Sequence, residues 1–308
     1  MPHSPPPVDV PRVLVLLATH NGAPWLDELL ASIVEQQGVH VSILANDDQS
    51  TDGTPALLQN WACRAGIDLG LLPASSQRLG AAANFLKLVR EARLDTFDAV
   101  ALADQDDIWE VGRLARAITS IRDEHLAAYS SDVEAFWSNG RRRRLSKAGR
   151  QRRFDHLFEP AGPGCTYVLS VDFASRLQTE LQRDVPRFEG IGYHDWLIYA
   201  YARSHGDRWK IDPRPGVAYR QHGLNELGAN HGLVAVSKRW NRLSSGWFRA
   251  QVLQIAQLWP NESEDVILRL KRLHVQDRFW LAIHARSLRR RPRDQLALAL
   301  MLILGVLR

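Results

Sequence analysis

Ala103-Asp104-Gln105-Asp106-Asp107-Ile108-Trp109 places three carboxylates within four positions, directly after the apolar stretch Phe97 to Ala103. Carboxylates at that density repel one another and are costly to desolvate, and a bound divalent cation removes the repulsion. On an extended backbone Asp104 and Asp106 point the same way. Hard oxygen ligands of this kind suit Mg²⁺ or Mn²⁺, which prefer to share their shell with substrate phosphates. The competing reading of an isolated Asp-x-Asp is a solvated turn that caps the next helix.

Upstream, Arg12 to Ala18 is a continuous apolar run, as expected for a strand buried on both faces. It ends in Thr19-His20-Asn21-Gly22. Trp25, Leu26, Leu29, Leu30, Ile33 and Val34 follow at helical spacing, with Asn21 or Gly22 as N-cap and Pro24 in the first turn. Val39 to Ala45 reads as a second strand, followed by Asn46-Asp47-Asp48-Gln49-Ser50-Thr51-Asp52-Gly53-Thr54. Thr54 is placed to cap the next helix at Pro55, and Ser50 and Asp52 to order the turn. Polar and acidic groups thus sit past the C-terminal ends of three successive strands, where open α/β sheets bind ligands.

Those three segments resemble, in order and spacing, the signature of glycosyltransferase family 2. The resemblance covers the chain to about residue 225 and implies the GT-A nucleotide-diphospho-sugar transferase fold. That is an α/β architecture with a mostly parallel sheet flanked by helices, using a divalent metal to hold a sugar nucleotide. Gly162-Pro163-Gly164-Cys165-Thr166, His194-Asp195-Trp196 and Tyr219-Arg220-Gln221-His222-Gly223-Leu224-Asn225 are similar to the bacterial rhamnosyltransferase branch, which builds surface polysaccharides.

The resemblance implies roles. Asp195 is the general base of an inverting, single-displacement transfer. Asp106 holds Mg²⁺ or Mn²⁺, with His222 completing the shell. Asp104 lies nearer the donor sugar or ribose, and Arg220 meets the diphosphate. Thr19, His20, Asn21 and either Asp47 or Asp48 form the nucleotide pocket. Arg78 and Asn84 belong to the next donor-side segment, although Asn84 reads equally as a helix-surface residue. The acceptor side comprises Asp107, Trp109, Gly164, Cys165, Thr166, His194 and Trp196, with Asp107 holding the acceptor loop or backing a ligand. The expected donor is dTDP-L-rhamnose, or a UDP-sugar instead, and the expected acceptor is a lipid-linked glycan. A silent scaffold subunit is the rival from another class. The set Asp104, Asp106, Asp195 and His222 argues against it.

The rest of the chain sets bounds. Its 308 residues, 45% hydrophobic with ten Trp, suffice for one large domain plus an appendage. The expected division is a lead-in over 1–11 without signal-peptide character, a catalytic domain over 12–225 and a helical extension over 226–308. Residues 264–288 read as one long amphipathic helix. Cys63 and Cys165 make no metal or disulfide framework, which fits a reducing cytoplasm. No Gly-x-Gly-x-x-Gly or Walker A sequence follows the first strand, which disfavours a dinucleotide oxidoreductase or P-loop NTPase.

Net charge is +5, concentrated in two blocks: Arg141 to Arg144 with Lys147, Arg150, Arg152 and Arg153, and Arg286, Arg289, Arg290, Arg291 and Arg293. Nucleic acid is disfavoured, since no recognition module accompanies them. Leu296 to Leu307 is an unbroken apolar run, shorter than the ~20 residues a spanning helix needs. Beneath an arginine collar it reads as a peripheral anchor to the anionic cytoplasmic face of the membrane, or as a contact with the protein or a partner subunit in a homo-oligomer.

Overall fold

A computed structural model describes residues 10–222, 245–260 and 264–307. Most of the lead-in, the Gly223-Leu224-Asn225 end of the last motif and the start of the extension lie outside the described residues.

The apolar run Arg12–Thr19 is strand β1, and its alternation divides the core. Val13, Val15 and Leu17 pack into one buried cluster, while Leu14, Leu16 and Ala18 pack into another. Around it form α1 (Ala23–Val34), β2 (His40–Asp47), α2 (Thr54–Ala62), β3 (Leu69–Leu71), α3 (Ala81–Glu91) and β4 (Ala99–Asp104). There follow β5 (Ile108–Trp109), α4 (Arg113–Asp123), β6 (Ala128–Ser131), β7 (Val133–Trp137), β8 (Arg142–Leu145), β9 (Val168–Ser170), α5 (Val171–Arg183), α6 (His194–Ser204), β10 (Trp209–Asp212) and β11 (Val217–Gln221).

A seven-stranded sheet runs β10-β6-β9-β4-β1-β2-β3, parallel except where β9 pairs antiparallel with β4 and β6. A second sheet runs β5-β11-β7-β8. Helices α1, α2 and α4 contribute to one buried cluster, and α3, α5 and α6 to the other. Leu16 is fully buried, so Leu16→Ala would cost about 2–5 kcal/mol.

Local details differ from the sequence reading. β4 ends at Asp104 and the chain turns through Gln105 and Asp106, so Asp104 and Asp106 do not share one face of an extended strand. Gly53, not Thr54, takes the cap position of α2, and Thr54 is its first residue.

The extension contains α7 (Trp247–Leu258), α8 (Glu264–Arg272), α9 (Val275–Ile283), α10 (Ala285–Leu288) and α11 (Pro292–Ile303). The single helix expected over 264–288 is therefore interrupted. Leu273 adopts φ +48°, and His274 caps α9 in a capping box with Asp277. Asp277 also accepts from Arg272 at 2.9 Å, which fixes the break. These helices do not stand apart from the catalytic domain: Val252, Leu270, Leu281, Leu288, Leu298 and Leu302 share the cluster that contains Leu157, Phe158 and Tyr199. Among the described residues no helix is long and apolar enough to cross a membrane.

Candidate active site

The ends of β1, β2 and β4 meet through short polar side chains. Thr19 Oγ1 donates to Asp47 Oδ1 at 2.9 Å, Ser50 donates to both Asp47 oxygens, and Asn21 N donates to Ser50 Oγ at 2.8 Å. Asp47 remains half-buried. Asp48 is buried, and its two oxygens accept from Leu79 N at 2.7 Å and Gly80 N at 2.8 Å. Asp48 thus holds the Arg78-Leu79-Gly80 segment, and Asp47 is the less buried of the two aspartates. Arg78 is exposed, 4.0 Å from Asp48. His20 Nδ1 meets Asp48 O at 2.7 Å.

Asn84 is neither a ligand group nor a surface residue. It is buried and bonds Asn46 through both its oxygen and its nitrogen, tying α3 to β2. Gln105, which the motif reading passed over, clamps His20 by accepting from its N and donating to its O.

On the opposite flank His222 Nε2 lies 2.8 Å from Asp106 Oδ2 and stacks on Trp25 at 4.0 Å between ring centroids. Arg220 donates from Nε to Asp106 O at 2.9 Å, pairs with Glu28 and lies over the Phe136 ring. Asp107 is fully buried. Its Oδ1 accepts from Arg220 N, and its Oδ2 has no hydrogen-bond partner. Burial, then the charges of Asp106 and Asp104, push its carboxyl well above the ordinary range. Ligand atoms of Asp104, Asp107 and Cys165 lie within 4.8 Å of one another. Carboxylate and imidazole donors beside an orphaned buried oxygen are a set that fits a divalent cation.

Asp195 is the second residue of α6. It is 8% exposed, and its Oδ1 accepts from Trp196 N at 2.7 Å. Burial pushes its carboxyl up to about 7, against the Trp196 amide and the charge of Lys147. Tyr167 OH donates to Asp195 O at 3.2 Å. His194 stacks on Phe85 of α3 at 3.9 Å, and burial drives its ring down to about 3, so it is neutral. Gly164 must be glycine: a Cβ there would lie 2.4 Å from His194 Nε2 and 3.2 Å from Asp195 Cβ. Helix α3 therefore spans the site, from Gly80, held by Asp48, to Phe85, stacked on His194.

Five expected acceptor-side residues, Asp107, Trp109, Cys165, Thr166 and Trp196, lie beneath the surface instead of lining it. Trp109 is buried under the Arg113 guanidinium, 3.9 Å from its ring. Arg113 also donates to Cys165 O, Thr166 Oγ1 donates to Pro163 O, and Trp196 Nε1 donates to His156 O at 2.9 Å. Asp107 is likewise buried, behind Arg220. These groups shape the loop; Gly164, His194 and Asp195 bring it together.

Sequence reasoning also missed a buried ionic core behind α6. Asp155, fully buried, accepts from Arg203 at 2.8 Å, Arg290 at 2.9 Å and Tyr199 at 3.1 Å. No local motif announces it, because Arg290 is distant in sequence.

The strand-end aspartates, the Asp106–His222 pair and buried Asp195 are carried on a GT-A-like fold. The family model for glycosyl transferase family 2 matches residues 14–175, and the chain belongs to that family; it is a glycosyltransferase. It is 34% identical over 290 residues to dTDP-rhamnosyl transferase RfbG of Shigella flexneri, spanning 94% of this chain and all of that protein. It is 25% identical over 232 residues to succinoglycan biosynthesis protein ExoO of Rhizobium meliloti (strain 1021), covering 70% of this chain and 63% of that one. The structure of S. aureus TarS 1–349 in complex with UDP-GlcNAc aligns with a TM-score of 0.58 at 15% identity, over 96% of this chain and 82% of that one, a likeness of fold.

Proposed function

We propose that the protein transfers L-rhamnose from dTDP-L-rhamnose, with inversion, to a hydroxyl of a lipid-linked glycan in surface-polysaccharide synthesis. The donor reading rests on the similarity to dTDP-rhamnosyl transferase RfbG along nearly the whole chain. The observation that carries the mechanism is Asp195: a carboxylate at a helix start, poised near neutrality, beside a loop that admits no side chain at Gly164.

The acceptor oxygen attacks the anomeric carbon, its proton passes to Asp195, and the bond to the diphosphate oxygen breaks. General-base help of this kind is worth ~10²–10⁴-fold. The nucleoside diphosphate leaves with added negative charge, beside the Arg220 guanidinium, held by Asp106 O and Phe136. Mg²⁺ or Mn²⁺, held by Asp106 and His222 with Asp104 beside them, would neutralise the diphosphate. One displacement at one carbon inverts its configuration.

Attachment to the anionic cytoplasmic face of the membrane is part of the reading. Val275, Phe279 and Ile283 on α9, and Leu296, Leu300, Ile303 and Leu304 along α11, are exposed. Arg286 and Arg293 are exposed beside them and complement anionic headgroups. The arginine collar is smaller than the sequence suggested, because Arg289, Arg290 and Arg291 bond Phe158 O, Asp155 and Asp294.

Nucleoside diphosphate release from dTDP- and UDP-sugars, with Mn²⁺, Mg²⁺ or EDTA and a lipid-linked acceptor extract, tests the function. Metal-dependent release from dTDP-rhamnose is expected. Release from a UDP-sugar alone contradicts the donor, and release that ignores EDTA contradicts the metal.

A further inference from the structure

Tyr193, the N-cap of α6, makes no side-chain capping hydrogen bond, and the loop that leads into it turns at Gly190 with φ +77°. A helix start without a capping side chain is placed by whatever holds the chain before it. Asp195 is the second residue of α6, so that holder also sets where its carboxyl lies.

The holder is the C-terminal extension. Gln251 of α7 is 5% exposed, and its amide grips both ends of a three-residue stretch of the loop. Oε1 accepts from Gly192 N at 2.7 Å, and Nε2 donates to Gly190 O at 2.9 Å. Nε2 also donates to Gln254 Oε1 at 3.2 Å, and Gln254 Nε2 donates to Glu189 O at 2.7 Å. Without the Gln251 amide the loop's N–H and C=O would turn to water, and the loop with them. Gly192 lets loop and helix meet: a Cβ there would lie 2.5 Å from Trp247 Cζ2. On either side of Asp195, Tyr193 packs edge-on against Trp247 at 5.4 Å and Trp196 stacks on Phe248 at 5.6 Å, between ring centroids. Across from α7 there is little slack, since a Cβ on Gly164 would lie 3.2 Å from Asp195 Cβ. The first turn of α6 is thus held between α7 and the 162–166 loop.

We propose that Gln251 is a positioning residue for transfer: bonded to Gly190 and Gly192 from the C-terminal extension, it fixes the start of α6 and with it the place of Asp195. The inference rests on Asp195 being the base. The bonds of Gln251 run to the loop and to its own helix, so dTDP binding at the ends of β1 and β2 is expected to be indifferent to it.

The test uses the full chain, the donor returned by the release panel and the acceptor extract. Gln251→Met keeps the length of the side chain and removes its bonds to the loop. Displacing a reacting group by about 1 Å costs on the order of 10²-fold, so kcat is expected to fall about 10–100-fold, with dTDP affinity and the apparent acceptor KM within about twofold. Gly192→Ala leaves Gln251 in place but drives a methyl into Trp247, and should lower kcat in the same way. Ile255→Ala, a core truncation on the same helix, is the stability control. It should lower the urea midpoint at least as far as Gln251→Met and leave kcat unchanged. In an Asp195→Asn background Gln251→Met should cost nothing further, because residues that act as a unit are not additive. Near-normal turnover in Asp195→Asn overturns the base reading and this inference with it. With that reading intact, an unchanged kcat in Gln251→Met, an equal loss in Ile255→Ala, or a full further loss in the Asp195→Asn background overturns this inference alone.

Discussion

On the expected donor side, Thr19, Asp47, Ser50 and Asn21 hold one another across two adjacent strand ends; on the expected acceptor side, Gly164, Asp195 and Arg290 come from three segments far apart in the chain. The first arrangement forms wherever two parallel strands with the right short side chains pair in register, as Thr19 pairs with Asp47. The second exists only when the C-terminal helices have docked. Donor binding is therefore expected to depend on local sequence, and transfer on the whole chain.

The contrast is sharpest at Arg290, whose side chain is 1% exposed. Arg290→Met leaves Asp155 buried with one cation fewer, at a cost of about 3–5 kcal/mol in urea unfolding. Transfer should fall further than dTDP binding at a temperature where the variant stays folded. Equal losses would mean that the halves are not separable. Trp25→Ala, on the donor side, should do the converse. Without the ring that orients His222, Mn²⁺ affinity measured by titration should weaken about 10–100-fold, while the pH profile of transfer keeps its shape. Gly164→Ala forces His194 or the loop to move, costing about 1–3 kcal/mol and lowering acceptor-dependent turnover more than dTDP affinity. The smallest effect belongs to the exposed stripe. Phe279→Ser with Leu300→Ser should abolish flotation with anionic liposomes and leave turnover on a soluble acceptor analogue within about twofold. Unchanged flotation would remove the stripe from membrane binding. Truncating 286–308 is a poor substitute, because it takes Arg290 away as well.

Legibility in the sequence followed the same division. The run Arg12 to Ala18, the helical spacing after Pro24 and the polar strand ends were readable because each is set by neighbours in the chain. The pairing of Asp106 with His222 was readable only through the family resemblance. Asp48, Asn84, Trp109 and Thr166 stand at motif positions, yet their side chains are used internally, and residue type alone does not reveal burial. Lys147 and Arg290 were read as members of two basic blocks, and Asp155 was not singled out. Their partners lie too far along the chain for any local pattern to show them. The break at Leu273 was hidden because α8 and α9 keep helical composition on both sides, and a capping box headed by His274 is unlike the usual Ser or Thr signature.

Asp195→Asn tests the division between the halves most directly, through turnover and dTDP affinity measured together on the full chain. Turnover is expected to fall by ~10²–10⁴-fold while dTDP affinity holds. Thermal stability at pH 8 should be no lower than in wild type. The wild-type carboxyl binds its proton up to about 7 when folded but only to its ordinary 3.8 when unfolded, so wild type loses stability as pH rises between those values and the amide does not. Near-normal turnover in Asp195→Asn, or a loss of dTDP binding as large as the loss of turnover, would contradict the assignment of Asp195 as the base of an independently built acceptor side.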